Sequence, residues 1–159
     1  MNLDEIDAKI LGLLQRDGRA SHSAIATAVG LSQPSVHERV KKLERRALIK
    51  GYTALLDPVA LDLSVLAFIS VGYSTKTEAV ARAAVQMPEV LEAHHIAGED
   101  CLLLKVRCRT PHDLERVLDR IWESGAVTST KTTIVLSSYK ETCALPVEGC
   151  SPRNEGASV

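Results

Sequence analysis

Ser21-His22-Ser23-Ala24-Ile25-Ala26-Thr27-Ala28-Val29-Gly30-Leu31-Ser32-Gln33-Pro34-Ser35-Val36-His37-Glu38-Arg39-Val40-Lys41-Lys42-Leu43 is the stretch on which the reading of this chain turns. Ser21 and Ser32 are good helix N-caps, because a hydroxyl can accept an orphan N–H of the first turn. Gly30 stops the first helix, where a residue tolerant of positive φ is needed. Pro34 is acceptable in the first turn of the second, because its missing N–H has no partner there anyway. Two short helices that cross closely need a small residue at the crossing, and Ala26 supplies it. Four positions on comes Gly30 and six beyond that a β-branched Val36. Small, Gly and β-branched residues at this spacing between two capped helices predict a helix-turn-helix.

The phase of the second helix sorts its surface. Val36, Val40 and Leu43 recur at i, i+4 and i+7 and face inward. Ser32, Gln33, Ser35, His37, Glu38 and Lys41 fall at the N-terminus, outward or on the flanks. Side chains near the start of a recognition helix reach base edges in the major groove of duplex DNA. Gln33, Ser35, His37 and Glu38 are therefore the base-reading candidates. Arg39, Lys42 and Arg45 suit phosphates, which supply affinity without sequence information. A solvated charged helix with a pair such as Glu38 and Lys42 is the plainer reading of 38–46; the preceding motif favours DNA.

Before this motif, Asp4 caps a helix to about Asp17 with Ile6, Ile10, Leu13 and Leu14 on one face. After it, Leu48 to Leu56 is expected as a strand pair turning near Lys50-Gly51, a wing whose Lys50 contacts the flanking backbone. Asp57-Pro58 breaks it. The expected organisation is a winged helix-turn-helix over 1–56, a linker over 57–63 with one helical turn, a second domain over 64–142, and a flexible tail over 143–159 rich in Gly, Pro and Ser.

The second domain alternates in type. Val65 to Tyr73 is a strand. Residues 77–87 form a helix with Val80, Ala83, Ala84 and Met87 inward. Val90 to Ala97 is a strand, Gly98-Glu99-Asp100 a hairpin turn, and Cys101 to Arg109 the return strand. Thr110-Pro111-His112-Asp113 starts a helix with Leu114, Val117, Leu118, Ile121 and Trp122 in its stripe. Thr128 to Tyr139 is a β-branched last strand. The fold class is α+β: the N-terminal winged helix-turn-helix joined to a ferredoxin-like βαββαβ domain, with both helices on one face of an antiparallel sheet. The first strand is apolar on both sides, with Val65, Ala67, Ile69 and Val71 on one and Leu66 and Phe68 on the other. A sheet covered once needs one apolar face, so the second is expected to pack on another subunit.

Composition agrees with this division. The chain has 159 residues, 45% of them hydrophobic, and a net charge of -1. Residues 1–52 carry nine Lys/Arg against six Asp/Glu, a net +3, and the remainder ten against fourteen, a net -4. A basic half beside an acidic half suggests two tasks. No apolar run approaches the ~20 residues that cross a bilayer, and the acidic Met1-Asn2-Leu3-Asp4-Glu5 is unlike a secretory signal. A cytoplasmic, nucleoid-associated protein without membrane contact is expected. Cys101, Cys108, Cys143 and Cys150 form no C-x-x-C, and Cys101 and Cys108, seven apart on a strand, fall on opposite faces. Reduced thiols are expected. His22, His37, His94, His95 and His112 show no metal spacing, and no nucleophile or phosphate-loop motif is present. No metal, cofactor or catalytic residue is expected. A nucleophilic Cys101 beside His95 is the enzyme alternative, and hairpin proximity alone does not favour it.

The residues resemble the Lrp/AsnC family (leucine-responsive regulatory protein and asparagine-C type) over roughly residues 2–140. The resemblance rests on Leu3-Asp4-x-x-Asp7-x-x-Ile10-Leu11, Asp17-Gly18-Arg19-Ala20-Ser21, Val29-Gly30-Leu31-Ser32, Arg39-Val40-Lys41-Lys42-Leu43-Glu44 and Ile49-Lys50-Gly51-Tyr52. The second domain adds Pro88-Glu89-Val90, the run Ala97-Gly98-Glu99-Asp100-Cys101-Leu102-Leu103-Leu104-Lys105-Val106, and Thr130-Lys131-Thr132-Thr133-Ile134-Val135-Leu136. It implies a sequence-specific transcription regulator that dimerises through its sheets, assembles further to tetramers or octamers, and binds a small effector, usually an amino acid, between subunits near the hairpin turn. Carried over by position, Gly98, Glu99, Asp100, Cys101, Thr130 and Thr132 are the effector-binding candidates. This chain has Cys101 where family members often have an acid, and Asp100 where an aromatic often precedes it, so effector specificity does not carry over. An architectural DNA-binding protein whose second domain only oligomerises is the alternative.

Overall fold

The computed structural model describes residues 3–73, 77–97, 102–123 and 127–147. The described residues divide into two compact units: those up to Leu55 together with those from Glu141 onward, and Leu56–Lys140.

The first unit is built on α1 (Glu5–Arg16), α2 (His22–Val29) and α3 (Gln33–Arg45). Each start is capped as its sequence predicts. Asp4 accepts the Asp7 N–H at 2.7 Å, Ser21 Oγ that of Ala24 at 3.1 Å, and Ser32 Oγ that of Ser35 at 3.3 Å. Gly30 ends α2 in the left-handed region, at φ 71°. The core is Ile10, Leu11, Ile25, Ala26, Val36, Val40 and Leu43. Fully burying an aliphatic side chain of this kind is worth about 1.5–3 kcal/mol. Ala26 is buried where α2 meets α3, as its size predicts.

The segment after α3 departs from expectation. Among the described residues no β-ladder forms over 47–56, so the wing strands are absent. Ala47 takes φ 54° and reverses the chain, and the N–H groups of Leu48 and Ile49 return to the Leu43 carbonyl at 3.0 and 3.4 Å. Leu48 and Ile49 half-bury against the helical core, and the Tyr52 hydroxyl donates to Glu44 at 3.0 Å. The chain then runs on with Leu55 and Leu56 exposed. A two-stranded wing needs Leu48 and Ile49 free to pair with the residues that follow, and here the Leu43 carbonyl and the helical core hold them.

Residues 143–147, expected to be loose, fold onto α1. Gln15 Oε1 accepts the Leu145 N–H at 2.6 Å and Gln15 Nε2 donates to the Leu145 carbonyl at 3.0 Å, so one side-chain amide mimics a neighbouring strand. Val147 packs against the helical core, 3.9 Å from where a Cβ on Gly12 would stand.

In the second unit the order is β1 (Val65–Tyr73), α4 (Thr77–Ala84), β2 (Val90–His95), β3 (Leu102–Cys108), α5 (Pro111–Trp122) and β4 (Val127–Ile134). The sheet is antiparallel with strand order β2-β3-β1-β4. The register sets Ala67, Ile69 and Val71 opposite Val106, Leu104 and Leu102, and these bury with Val80 and Ala84 of α4 and Leu114, Val117 and Ile121 of α5. Both helices therefore cover one face. Thr110 and Asp113 close a capping box at the start of α5. Ala83 and Trp122, expected inward, are exposed. The last strand stops at Ile134, short of Tyr139. After the Val135 N–H meets the Leu66 carbonyl at 2.9 Å, β1 offers no further partner, and Leu136 and Tyr139 stand in solvent. Pro58 to Leu63 form a tight turn, with the Leu63 N–H on the Pro58 carbonyl at 2.8 Å.

Candidate DNA-binding face and effector region

With Val36, Val40 and Leu43 buried, α3 turns Glu38, Lys41, Lys42 and Arg45 outward at i, i+3, i+4 and i+7, and all four are exposed. Ser32, Gln33 and Ser35 are exposed at its first turn, and Lys50 is exposed beyond its end. The Ser32 and Ser35 hydroxyls lie 2.8 Å apart while Ser32 also caps the helix. The result is a capped helix whose free face carries three cations and one acid, with short polar side chains at its tip. That shape and charge suit insertion into a groove walled by phosphates.

Two expected contact residues are engaged from within. Arg39 does not point with Lys42 and Arg45. Its Nη1 lies 2.7 Å from Asp4 Oδ2 and 2.6 Å from Asp7 Oδ1, tying α3 to the start of α1. Asp4 is held below the ordinary carboxylate range by the Asp7 N–H and then by the Arg39 guanidinium. Arg39 is pushed up in turn by hydrogen bonds to Asp4 and Asp7. His37 is half-buried with its Nδ1 3.3 Å from His22 Nδ1, which leaves the Nε2 edge of its ring for an outside partner. Sequence reading missed Asp4, Asp7 and His22 as partners of this helix. Asp4 is legible as a cap, but nothing in its spacing tells that its second oxygen faces Arg39, 35 positions away. Burial together with hydrogen bonding to Glu44 raises the Tyr52 hydroxyl, which fastens the chain after α3 to that helix.

Of the effector candidates, Gly98, Glu99, Asp100 and Cys101 lie outside the described residues. Thr130 and Thr132 lie on β4 opposite Val71 and Ile69, so both share the helix-covered face, Thr130 half-buried and Thr132 exposed. Leu102, Val71 and Thr130 form one row across β3, β1 and β4. At about 4.8 Å per strand, the start of β3 is separated from Thr130 by about 10 Å. The opposite face carries Phe68 beside Lys105 and Thr133, and Glu92 bonded to Lys105 at 3.2 Å. Cys108 is buried on the helix side, where desolvation pushes its thiol up, and Cys143 is exposed; both are free. A buried thiol of raised pKa is a poor nucleophile. Among the described residues no group of three or more His, Cys, Asp or Glu is placed to hold a metal, and no helix is long and apolar enough to cross a membrane.

A helix-turn-helix with a cationic outer stripe, followed by a βαββαβ domain, defines a DNA-binding regulator. Comparison with known proteins assigns it further. The AsnC-type helix-turn-helix domain matches residues 3–44, and the Lrp/AsnC ligand binding domain matches residues 65–145. The HTH-type transcriptional regulator FL11 of Pyrococcus horikoshii is 40% identical over 147 residues, covering 92% of this chain and 97% of that protein. The leucine-responsive regulatory protein of Escherichia coli is 35% identical over 152 residues, covering 92% and 93%. A transcriptional regulator of Neisseria meningitidis, solved as a complex with L-Met, superposes with a TM-score of 0.89 at 31% identity, covering 92% of this chain and 98% of that one. The chain belongs to the Lrp/AsnC family of transcriptional regulators.

Proposed function

We propose that this regulator reads a specific duplex sequence with the first turns of α3 and responds to an amino acid bound by its second domain. The observation that carries the DNA reading is the exposed stripe Glu38, Lys41, Lys42 and Arg45 on a helix whose other side is buried. Gln33, Ser35, Glu38 and the Nε2 edge of His37 take base edges. Lys41, Lys42, Arg45 and Lys50 take phosphates, Ser32 sits beside the backbone as the helix cap, and Arg39 braces the helix from within. For the effector, the support is the matched ligand binding domain and the L-Met complex of the Neisseria meningitidis relative. The turn Gly98-Glu99-Asp100-Cys101 supplies N–H groups for a carboxylate and acids for an ammonium, and Thr130 and Thr132 supply hydroxyls. Subunits pair through the sheet face that carries Leu66 and Phe68, and the dimers join into tetramers or octamers. The DNA-binding unit takes the residues up to Leu55 with those from Glu141 onward and the effector unit Leu56–Lys140, in place of limits at 56, 63 and 142, and the protein works in the cytoplasm on the nucleoid.

The test is anisotropy on a duplex selected from a random pool. Lys42→Ala and Arg45→Ala should weaken binding to all sequences alike and each lower the salt slope by about 1. A Gln33→Ala, Ser35→Ala double variant should instead relax sequence preference, at ~1–3 kcal/mol per lost base contact. An unchanged preference in the double variant would refute the assignment of reading positions. A protein that binds DNA but no amino acid would leave the purely architectural role.

A further inference from the structure

His22 opens α2 and His37 lies in the second turn of α3, fifteen positions on in sequence. The helix crossing brings their rings together. The two Nδ1 atoms stand 3.3 Å apart, the ring centroids 5.1 Å apart, and the planes tilt by 59°. Both side chains are half-buried, between core and solvent.

Two imidazoles facing each other through the same nitrogen need a reason. One neutral ring can donate an N–H to the other's lone pair, and 3.3 Å is at the long end for that bond. The separation matches a different geometry. Two metal–nitrogen bonds of ~2.05 Å meeting at the tetrahedral angle place their nitrogens about 3.3 Å apart. With both rings in the Nε2–H tautomer, both Nδ1 lone pairs are available to one ion. The rings come from two helices fixed by the buried residues Ile25, Ala26, Val36 and Val40, so the bite is set before any ion arrives.

We propose that His22 and His37 form a two-imidazole site for a divalent transition ion, Zn²⁺, Ni²⁺ or Cu²⁺, that pins the start of α2 to the recognition helix. Imidazole suits these ions, whereas Mg²⁺ and Ca²⁺ want oxygen. Water fills the remaining positions. With two protein ligands, and with the α2 N-terminus repelling a cation, the site binds more weakly than a structural site of four ligands. Occupancy fixes the His37 ring, because the nitrogen it lends the ion can no longer reorient. The site shares His37 with the proposed DNA-reading face, but its formation needs neither duplex nor effector, so it can be tested on the protein alone.

The experiment uses the full chain stripped with chelator and titrated with ZnCl2 and CuCl2, followed by calorimetry, thermal unfolding and, for Cu²⁺, electron paramagnetic resonance. The unmodified protein should rise in Tm with ion concentration and show nitrogen hyperfine coupling from two imidazoles. His22→Gln should keep the fold and the metal-free DNA affinity, yet bind at least about 100-fold more weakly, the upper range for losing even an outer-shell partner. His37→Gln should lose the ion likewise, and His22→Cys, which keeps a ligand, should retain Zn²⁺. A His94→Gln, His95→Gln, His112→Gln variant should bind as the unmodified chain does. Equal ion affinity in His22→Gln and the unmodified protein overturns the proposal, as does a Cu²⁺ signal that needs His94, His95 or His112.

Discussion

Arg39 Nη1 on the recognition helix lies 2.6 Å from Asp7 Oδ1 on the first helix, and the same nitrogen reaches Asp4 Oδ2 at 2.7 Å. Asp7 is only 5% exposed and is the buried charged residue of the described chain. A charge so placed is tolerable while its partner remains, and removing one member of a buried pair typically costs 3–5 kcal/mol. Arg39 is 30% exposed along its side chain, so water recovers part of that loss. Arg39→Ala should therefore destabilise the helical unit by about 2–3 kcal/mol. Arg45→Ala, on the outer stripe, should stay within about 0.5 kcal/mol. Urea unfolding of both variants separates a brace from a phosphate contact. Equal stability in the two, with equal loss of DNA affinity, would put Arg39 back on the DNA face.

Acid should loosen this corner. The Asp4 carboxyl is held below its ordinary 3.8 by the Asp7 N–H and then by Arg39. In the second domain Glu92 is held below its ordinary 4.5 by hydrogen bonds to His94 and Lys105. For a depressed carboxyl the unfolded chain takes up the proton first as pH falls. The stabilisation is complete above the unfolded values and is lost as pH drops through the lower folded ones. Unfolding free energy should thus be flat with respect to these groups above about pH 5 and decline below about pH 4. Asp4→Asn should shallow that decline, and the change should be modest because the Asp4 side chain is half exposed. A decline as steep in Asp4→Asn as in the unmodified chain would mean that other carboxyls carry it.

Much of this was legible in the sequence because it is local or periodic. Ser21, Gly30, Ser32, Thr110 and Asp113 announce their caps through chemistry that acts within a turn. The Val36, Val40 and Leu43 stripe fixes which way α3 faces, and the β-strand over 102–108 was legible although its inward set, Leu102, Leu104, Val106 and Cys108, comes from the structure. What escaped depends on partners far along the chain. Leu48 to Leu56 has strand propensity but no strand to pair with, and propensity does not say so. The Gln15 clasp on Leu145 joins residues 130 apart through a backbone that carries no pattern. His22 reads as an ordinary polar position and His37 as a base-reading one until the helix crossing brings them together. Thr130 and Thr132 share a face as their spacing predicts, but a spacing of two does not say which face.

Assembly can be tested on the sheet face opposite the helices, which carries the buried Leu66 and the half-buried Phe68. Phe68 is half-buried there and lies directly opposite Lys105 on β3 and Thr133 on β4. Phe68→Asp would stand beside Lys105 within its own chain, where an opposite-charge cross-strand pair is worth roughly 0.2–1 kcal/mol. The monomer should then tolerate the change. In an interface formed by two such faces, the same carboxylates would be buried without enough partners, which is costly. Light scattering should give a dimer or larger for the unmodified protein and a folded monomer, by circular dichroism, for Phe68→Asp. An oligomer of unchanged mass in the variant would place the interface elsewhere.

The proposed effector region makes the last prediction. Thr130 stands two strands from Leu102, the first described residue after the turn, with Val71 between them. That distance is about 10 Å, well beyond the few ångströms between the carboxylate and ammonium of an amino acid. On the proposed function the ligand lies between subunits, so affinity should depend on assembly. Calorimetry on the intact protein, with L-Met as first probe, should show binding that weakens on dilution and in Phe68→Asp. Thr132→Val removes one exposed hydroxyl at nearly constant shape and should cost about 0.5–1.5 kcal/mol, a factor of ~2–10 in affinity. Gly98→Trp should abolish binding while the helix-turn-helix stays folded. Unchanged affinity in Gly98→Trp would move the ligand away from the turn. Unchanged affinity in the dissociated Phe68→Asp chain would show that one subunit suffices.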